Sequence, residues 1–234
     1  GYPLTIPSQD MVLGIYYLSK SRKGEQGEGM RFSSIDEVLI AYENKRVALH
    51  AIVDVRYLGV WKNKTTVGRA IFNSIVPDEM GYLDEILNKK KIEKIIYDTY
   101  LTVGNHKTVI FLDDLKNLGF EFATKSGISI AISDVLVPDE KESIIAKAEK
   151  EVTSIHAKFA RQILTEGERY NKVIDVWTHA THEATQAMMN RIKKDKEGFN
   201  SVYVMADSGA RGSQDQIKQL AAMRGLMAKP KKSM

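Results

Sequence analysis

Residues 139–188 read DEKESIIAKAEKEVTSIHAKFARQILTEGERYNKVIDVWTHATHEATQAM, and the spacing of their apolar side chains decides the fold. Asp139, just after Pro138 and three residues before Glu142, reads as a capping box that starts a helix. From there Ile145, Ala148, Val152, Ile155 and Phe159 recur at intervals of 3, 4, 3 and 4, a heptad seam about two repeats long. Thr165 with Glu168 is a second cap signal, restarting a helix around Gly167. Its seam is Tyr170, Ile174, Trp177, Thr181, Ala184 and Met188, at intervals of 4, 3, 4, 3 and 4. Two matched seams joined by a short turn predict an antiparallel helical hairpin. At about 1.5 Å per residue, helices of some 25 residues project roughly 35–40 Å. Such an arm buries one stripe only, so it is a protrusion and not a core.

Upstream, the chain reads as mixed and strand-rich. Gln9–Leu18 is an apolar stretch, and residues 24–29 form a glycine-rich turn. Ser34–Asn44 has helical spacing at Ile35, Val38, Leu39 and Tyr42, and Ala48–Tyr57 alternates as a strand would. Thr65–Ile75 reads as a turn followed by an apolar run that Pro77 ends. Leu83–Leu87 and Ile92–Leu101 read as two helical pieces joined by Lys89-Lys90-Lys91, with a third helical region over Thr108–Gly127 and a strand-like run over Ile128–Val137. The predicted class is α+β: a mixed domain over 1–137, the hairpin over 138–198 and a loop–helix segment over 199–234.

Composition narrows the chemistry. With 234 residues and 43% apolar side chains the chain can bury a core, and 27% charged residues are ordinary for a globular protein. No apolar run is long enough for a membrane-spanning helix, and the N-terminus lacks a basic segment followed by an apolar one, so no signal peptide is visible. The absence of cysteine removes disulfides, thiolate nucleophiles and cysteine-ligated zinc. A cytoplasmic location is the simplest fit. The net charge of +4 is unevenly held: residues 211–234 carry a net +5 (Arg211, Lys218, Arg224, Lys229, Lys231 and Lys232 against Asp215), and the rest of the chain nets −1. A basic end of this kind is either a solvated terminus or a contact for phosphate groups.

Catalytic motifs are scarce. His179 and His182 with Glu183 resemble part of a zinc ligand set, but both histidines flank the seam and are expected to face solvent. Asp113-Asp114 reads as first-turn acid at a helix N-terminus more readily than as a metal pair. Ser208–Ser213 (SGARGS) holds two glycines and Arg211, followed by Ser213/Gln216 as a capping box and an apolar face at Ile217, Leu220 and Ala221. This is either an anion site at a helix entrance or an ordinary capped turn.

Longer matches separate those alternatives. Residues 200–230 (NSVYVMADSGARGSQDQIKQLAAMRGLMAKP) resemble the F-loop region of the largest-subunit (β′) family of bacterial RNA polymerases. Residues 167–177 (GERYNKVIDVW) are similar to the tip and descending helix of that family's secondary-channel rim hairpin, and residues 4–18 (LTIPSQDMVLGIYYL) to the stretch shortly after its catalytic aspartate loop. Thr66–Ala70 (TVGRA) and Thr108–Phe111 (TVIF) fall in order between them.

The resemblance implies a pore domain over 1–137, rim helices over 138–198 and the F-loop over 199–234, lining the channel through which nucleotides enter and backtracked RNA leaves. It implies nucleotidyl transfer by an assembled enzyme with β, α, ω and σ subunits, a DNA template, an RNA transcript, nucleoside triphosphates and Mg2+. Arg211 would contact the incoming triphosphate, and Gln219, Arg224 and Met227 would support the active site. Glu168, Arg169, Asn171 and Lys172 would form a docking site for transcript-cleavage and initiation factors. The family's Asn-Ala-Asp-Phe-Asp-Gly-Asp loop is not in this sequence; the resemblance puts it upstream of Gly1, and the bridge helix and trigger loop beyond Met234, so the chain by itself is expected to be inactive and to bind no metal. The readings that need no resemblance are a stand-alone coiled-coil scaffold and a nucleic-acid-binding module using the basic end.

Overall fold

The computed structural model describes residues 5–227; Leu4 and the lysines at 229, 231 and 232 lie outside them. The described chain is α+β and divides into two compact units, one of residues 1–129 with 204–211, the other of residues 130–203 with 212–234.

The first unit is built on helices, not on the strand-rich pattern expected. Helix α1 (Asp10–Ser19) is the apolar stretch at 9–18. Val12, Ile15, Tyr16 and Leu18 are buried, as are Leu13, Gly14 and Ser19, so the helix is covered nearly all round and has no polar face to reveal its period. Its partner is the second half of α4 (Lys89–Ser126), which bends at Gly104, whose φ of 76° is open to glycine at little cost. Phe111, Leu115, Gly119 and Phe122 form the inner face. Contact between the helices depends on glycine: a Cβ on Gly14 would stand 1.9 Å from the Gly119 carbonyl oxygen. Backbones meet here with no side chain between them.

A three-stranded sheet closes the other side of the core, in the order β1 (Arg31–Phe32), β2 (Ile52–Tyr57), β3 (Val60–Thr66). β1 runs parallel to β2 and β3 antiparallel to it, with a bulge in the β2–β3 pairing at Val53/Val55. Phe32, Val53 and Val55 turn inward against Val67, Ala70, Ile71 and Phe72. Helix α2 (Ile35–Glu43) starts where Ser34 accepts a bond from the Glu37 amide, and α3 (Val67–Asn73) where Thr66 accepts from Arg69.

One expected element of this unit is absent. Leu83–Leu87 forms no helix because side chains from elsewhere satisfy its backbone. Asn73 accepts from the Leu83 amide and donates to its carbonyl, both at 2.8 Å, and Ser19 Oγ accepts from the Leu87 amide. Lys89-Lys90-Lys91 is then no linker but the first turn of α4, capped by Asn88. Asp113-Asp114 lies well inside α4 and not at a helix start; Asp113 pairs with Lys116. At the boundary with the second unit, Ile128–Val137 forms no strand: Ile130 and Ile132 are exposed, and Ile132–Asp134 is a single 3-10 turn.

In the second unit, α5 (Lys141–Ala160) and α6 (Glu166–Lys194) form the hairpin that the seams predict. Ala148 and Ile155 are the buried residues of α5; Ala180, Ala184, Met188 and Ile192 are those of α6. Tyr170 is 59% exposed, so the packed stripe lies toward the base and thins toward the tip. Asp139 does not cap α5; Glu140 stands at the cap position and Asp139 pairs with Arg191 of α6. The base is closed by Asp134, which accepts from the Ala131 amide (2.9 Å) and pairs with Lys196 (2.6 Å), while Asn200 donates to the Asp134 carbonyl. Helix α7 (Ser201–Ser208) comes next, its residues from Val204 on counted with the first unit, and α8 (Gln214–Ala221) lies in the second.

Candidate functional site

Three features carry the candidate residues. The first is the turn after α7. Val204 packs with Leu13 and Tyr16 of α1, and the Tyr16 hydroxyl donates to Asp207 at 2.5 Å. Ser208 Oγ donates to the Met205 carbonyl and accepts from the Ala210 amide, and the Arg211 amide closes the turn on the same carbonyl at 3.3 Å. Arg211 therefore leaves a well-tied turn with its guanidinium exposed, and Nη2 donates to Gln9 Oε1 at 2.8 Å. Lys20, at the end of α1, is nearly buried; burial holds its ammonium below the usual lysine range, with Asp207 pulling the other way.

The second feature is α8 together with residues 222–227. Ser213 accepts from the Gln216 amide and Gln216 Oε1 from the Ser213 amide, the reciprocal box expected. Ile217 and Ala221 are buried, but Leu220 is 72% exposed and does not belong to the inner face. Gln219 is exposed on α8, as are Arg224 and Met227 beyond it. Arg224 lines an open groove of about 910 Å3 with Lys218, Asp215, and Thr178, His182 and Thr185 of α6. Gln219 and Met227 do not line it.

The hairpin tip is the third. Thr165 and Glu168 form the predicted capping box: the Glu168 carboxylate accepts from the Thr165 amide and from its hydroxyl, both at 2.8 Å, and these bonds hold its pKa below the ordinary range. Arg169 is half-buried. Its guanidinium lies 5.1 Å from the centre of the Phe159 ring and pairs with Glu166. Asn171 and Lys172 are exposed, and Lys172 borders a groove of about 720 Å3 between α5 and α6 with Lys147, Glu151, Lys158 and Asp175. His179 and His182 are exposed as expected, bonded to the Asp175 carbonyl and to Gln186.

The order of these parts along the chain is matched by known proteins. Residues 1–135 fit the family model for RNA polymerase Rpb1, domain 3, and residues 164–234 that for RNA polymerase Rpb1, domain 4. The chain belongs to the RNA polymerase Rpb1 family. It is 46% identical over 242 residues to the DNA-directed RNA polymerase subunit beta' of Phocaeicola vulgatus, covering all of the chain and 17% of that protein. The same-named subunit of Desulforamulus reducens is 47% identical over 230 residues, covering 98% of the chain and 19% of that protein. That of Salinibacter ruber is 44% identical over 235 residues, covering all of the chain and 16% of that protein. The chain thus spans less than a fifth of the length of these relatives. In this Rpb1-family chain no helix among the described residues is long and apolar enough to cross a membrane. Its side chains do not fit a magnesium site either: among the described residues no three His, Asp or Glu side chains converge to hold a metal.

Residue-type reasoning did not single out Gln9 or Asp207. Each lies in a stretch that resembles the family but in no residue-type motif of its own, and each finds its partner across about 190–200 positions of sequence.

Proposed function

We propose that this chain works as part of the β′ subunit of a DNA-directed RNA polymerase, lining the secondary channel. Residues 1–137 would form the pore domain, 138–198 the rim hairpin and 199–234 the F-loop. The observation that carries the reading is the pair of family matches, which together take in residues 1–135 and 164–234. In such an enzyme nucleotidyl transfer needs Mg2+ to neutralise charge on the phosphates. Among the described residues no side chains converge to supply its ligands, and the roles proposed for this chain are binding and positioning. Arg211 is the proposed contact to the incoming triphosphate. A guanidinium has five donors in a planar fork and stays charged at any working pH, and this one is exposed on a turn whose backbone is tied at both ends. Gln219, Arg224 and Met227 are proposed to support the neighbouring active-site elements, which their exposure leaves open to contact.

The hairpin tip is the proposed docking site for cleavage and initiation factors. Asn171 and Lys172, both exposed, are proposed to meet the partner, whereas Glu168 and Arg169 would also hold the turn in shape. Other polymerase subunits, DNA and RNA are the remaining proposed partners. A stand-alone nucleic-acid binder would need a broad basic surface, and outside residues 211–234 the chain nets −1.

The test is a nucleoside triphosphate carrying a photoreactive aryl azide on its γ-phosphate, crosslinked in the assembled polymerase. Label in the peptide containing residues 208–213, suppressed by excess unmodified triphosphate, is expected. Label confined to other peptides would overturn the assignment of Arg211.

A further inference from the structure

We infer that Gln9 is a positioning residue for Arg211, holding its guanidinium in the orientation that meets a phosphate; this rests on the reading of Arg211 as the triphosphate contact. Gln9 and Arg211 are both exposed, so burial does not force their 2.8 Å bond. Two further observations single out Gln9. It occupies the N-cap position of α1, where Ser, Thr or Asp would ordinarily bond the first helical amides, yet its side chain makes no capping bond. Its backbone has φ 49° and ψ −119°, a conformation in which a residue with a Cβ is strained. A glycine would relieve the strain and a serine would cap the helix. Glutamine does neither, and its amide oxygen is spent on Arg211 instead.

The chemistry of the pair suits a substrate contact. The amide takes one of the five N–H groups of Arg211 and leaves the others for an anion. Being neutral, it orients the cation without cancelling the charge, as a carboxylate in its place would. Both ends are anchored in the same unit: Gln9 opens α1, and the Arg211 turn is tied to α1 through Tyr16 and Asp207 and through Val204 packed on Leu13 and Tyr16. Immobilising a long side chain in advance lowers the conformational entropy lost when ligand binds.

The test is single-nucleotide addition by the assembled polymerase at varied nucleoside triphosphate, for Gln9→Ala, Gln9→Gly, Gln9→Glu, Arg211→Ala and the double variant Gln9→Ala/Arg211→Ala. Gln9→Ala is expected to raise KM by roughly three- to tenfold with kcat within about twofold, since one hydrogen bond of modest net strength is lost. Gln9→Gly relieves the backbone but is expected to match Gln9→Ala, because the side chain is what acts. Gln9→Glu keeps the size and the acceptor but pairs the guanidinium with a negative charge, so its KM is expected to exceed that of Gln9→Ala. A merely structural role would leave Gln9→Glu close to the unsubstituted enzyme and Gln9→Gly better than Gln9→Ala. In the double variant, Gln9→Ala is expected to add nothing to Arg211→Ala. An unchanged KM in Gln9→Ala, or a full additional loss in the double variant, overturns the positioning role while leaving Arg211's reading intact. An unchanged KM in Arg211→Ala would remove that reading and the positioning role with it.

Discussion

The core of the first unit and the helical hairpin are both mostly helix, yet they are held together in opposite ways. Helix α1 is buried nearly all round, and its backbone meets that of α4 at Gly14 and Gly119 with no side chain between them. Helices α5 and α6 share one stripe, whose fully covered members are mostly small or placed toward the base, and leave grooves open along their sides. A region packed on all sides transmits any change in volume to its neighbours; a single stripe with open flanks can absorb one. The first unit is thus built to hold a geometry and the hairpin to present a surface.

Overfilling the tight contact between α1 and α4 is expected to have the largest effect. Gly14→Val adds atoms where even a Cβ would stand 1.9 Å from a carbonyl oxygen, so a loss of about 3 kcal/mol or more is expected. Hydrogen exchange would read it as lost protection of α1 and α4 amides with α5 and α6 unaffected. Protection kept throughout α1 would mean that the contact is looser than the geometry implies.

Acid sharpens the comparison, because the two regions respond in different pH windows. His50 is buried in the first unit, where Nδ1–H donates to the Lys20 carbonyl and the ring meets Tyr17 edge-on. Burial, aided by the nearby Lys20 and Arg22 charges, pushes its pKa down to about 4. A depressed histidine contributes stability above the unfolded value near 6.5, and that contribution is lost as pH falls toward the folded value. From this group alone the first unit is expected to lose on the order of 3 kcal/mol between about pH 6.5 and pH 4. At the hairpin base, hydrogen bonds from Lys196 and the Ala131 amide hold the Asp134 carboxyl low, and the Asp134 carboxylate raises Lys196. That pair contributes fully between the ordinary aspartate and lysine values, and its contribution is lost only as pH falls through the lowered Asp134 value or rises through the raised Lys196 value. Hydrogen exchange at stepped pH is expected to show α1 opening before the residues around Asp134. His50→Gln should remove the early step; an α1 transition unmoved by that change would contradict the assignment.

A smaller effect belongs to the stripe itself. Ile155→Ala removes one of two buried side chains of α5 and is expected to cost about 2 kcal/mol, the low end for such truncations because the site has open flanks. The loss should be confined to α5 and α6 amides.

The same contrast explains what could be read in the sequence. The hairpin was legible because a half-buried helix shows its period: the Thr165–Glu168 box and buried Ala148, Ile155, Ala184 and Met188 all lie where the spacing puts them. Helix α1 was not, because burial nearly all round erases the polar face that would mark a helix. Leu83–Leu87 and Asp139 misled for another reason. Their backbone and side-chain groups are claimed by Asn73, Ser19 and Arg191, partners that no local pattern reveals. Among the candidate residues, Arg211 stood out from its glycine-flanked turn and from the family resemblance, whereas Gln9 is an ordinary glutamine until the fold brings it to Arg211.

The proposed division of work puts substrate contact at Arg211 and partner contact at the hairpin tip. It is tested most directly by measuring KM for nucleoside triphosphate and factor-stimulated transcript cleavage side by side in assembled polymerases carrying Arg211→Ala or Lys172→Glu. In Arg211→Ala the KM is predicted to rise roughly ten- to a hundredfold, as expected for loss of a hydrogen bond to a charged group. Its response to a cleavage factor, compared at saturating nucleotide, should be retained. In Lys172→Glu the KM should be unchanged and the factor response weakened, more so at low salt. Equal loss of both activities in either variant would contradict the division.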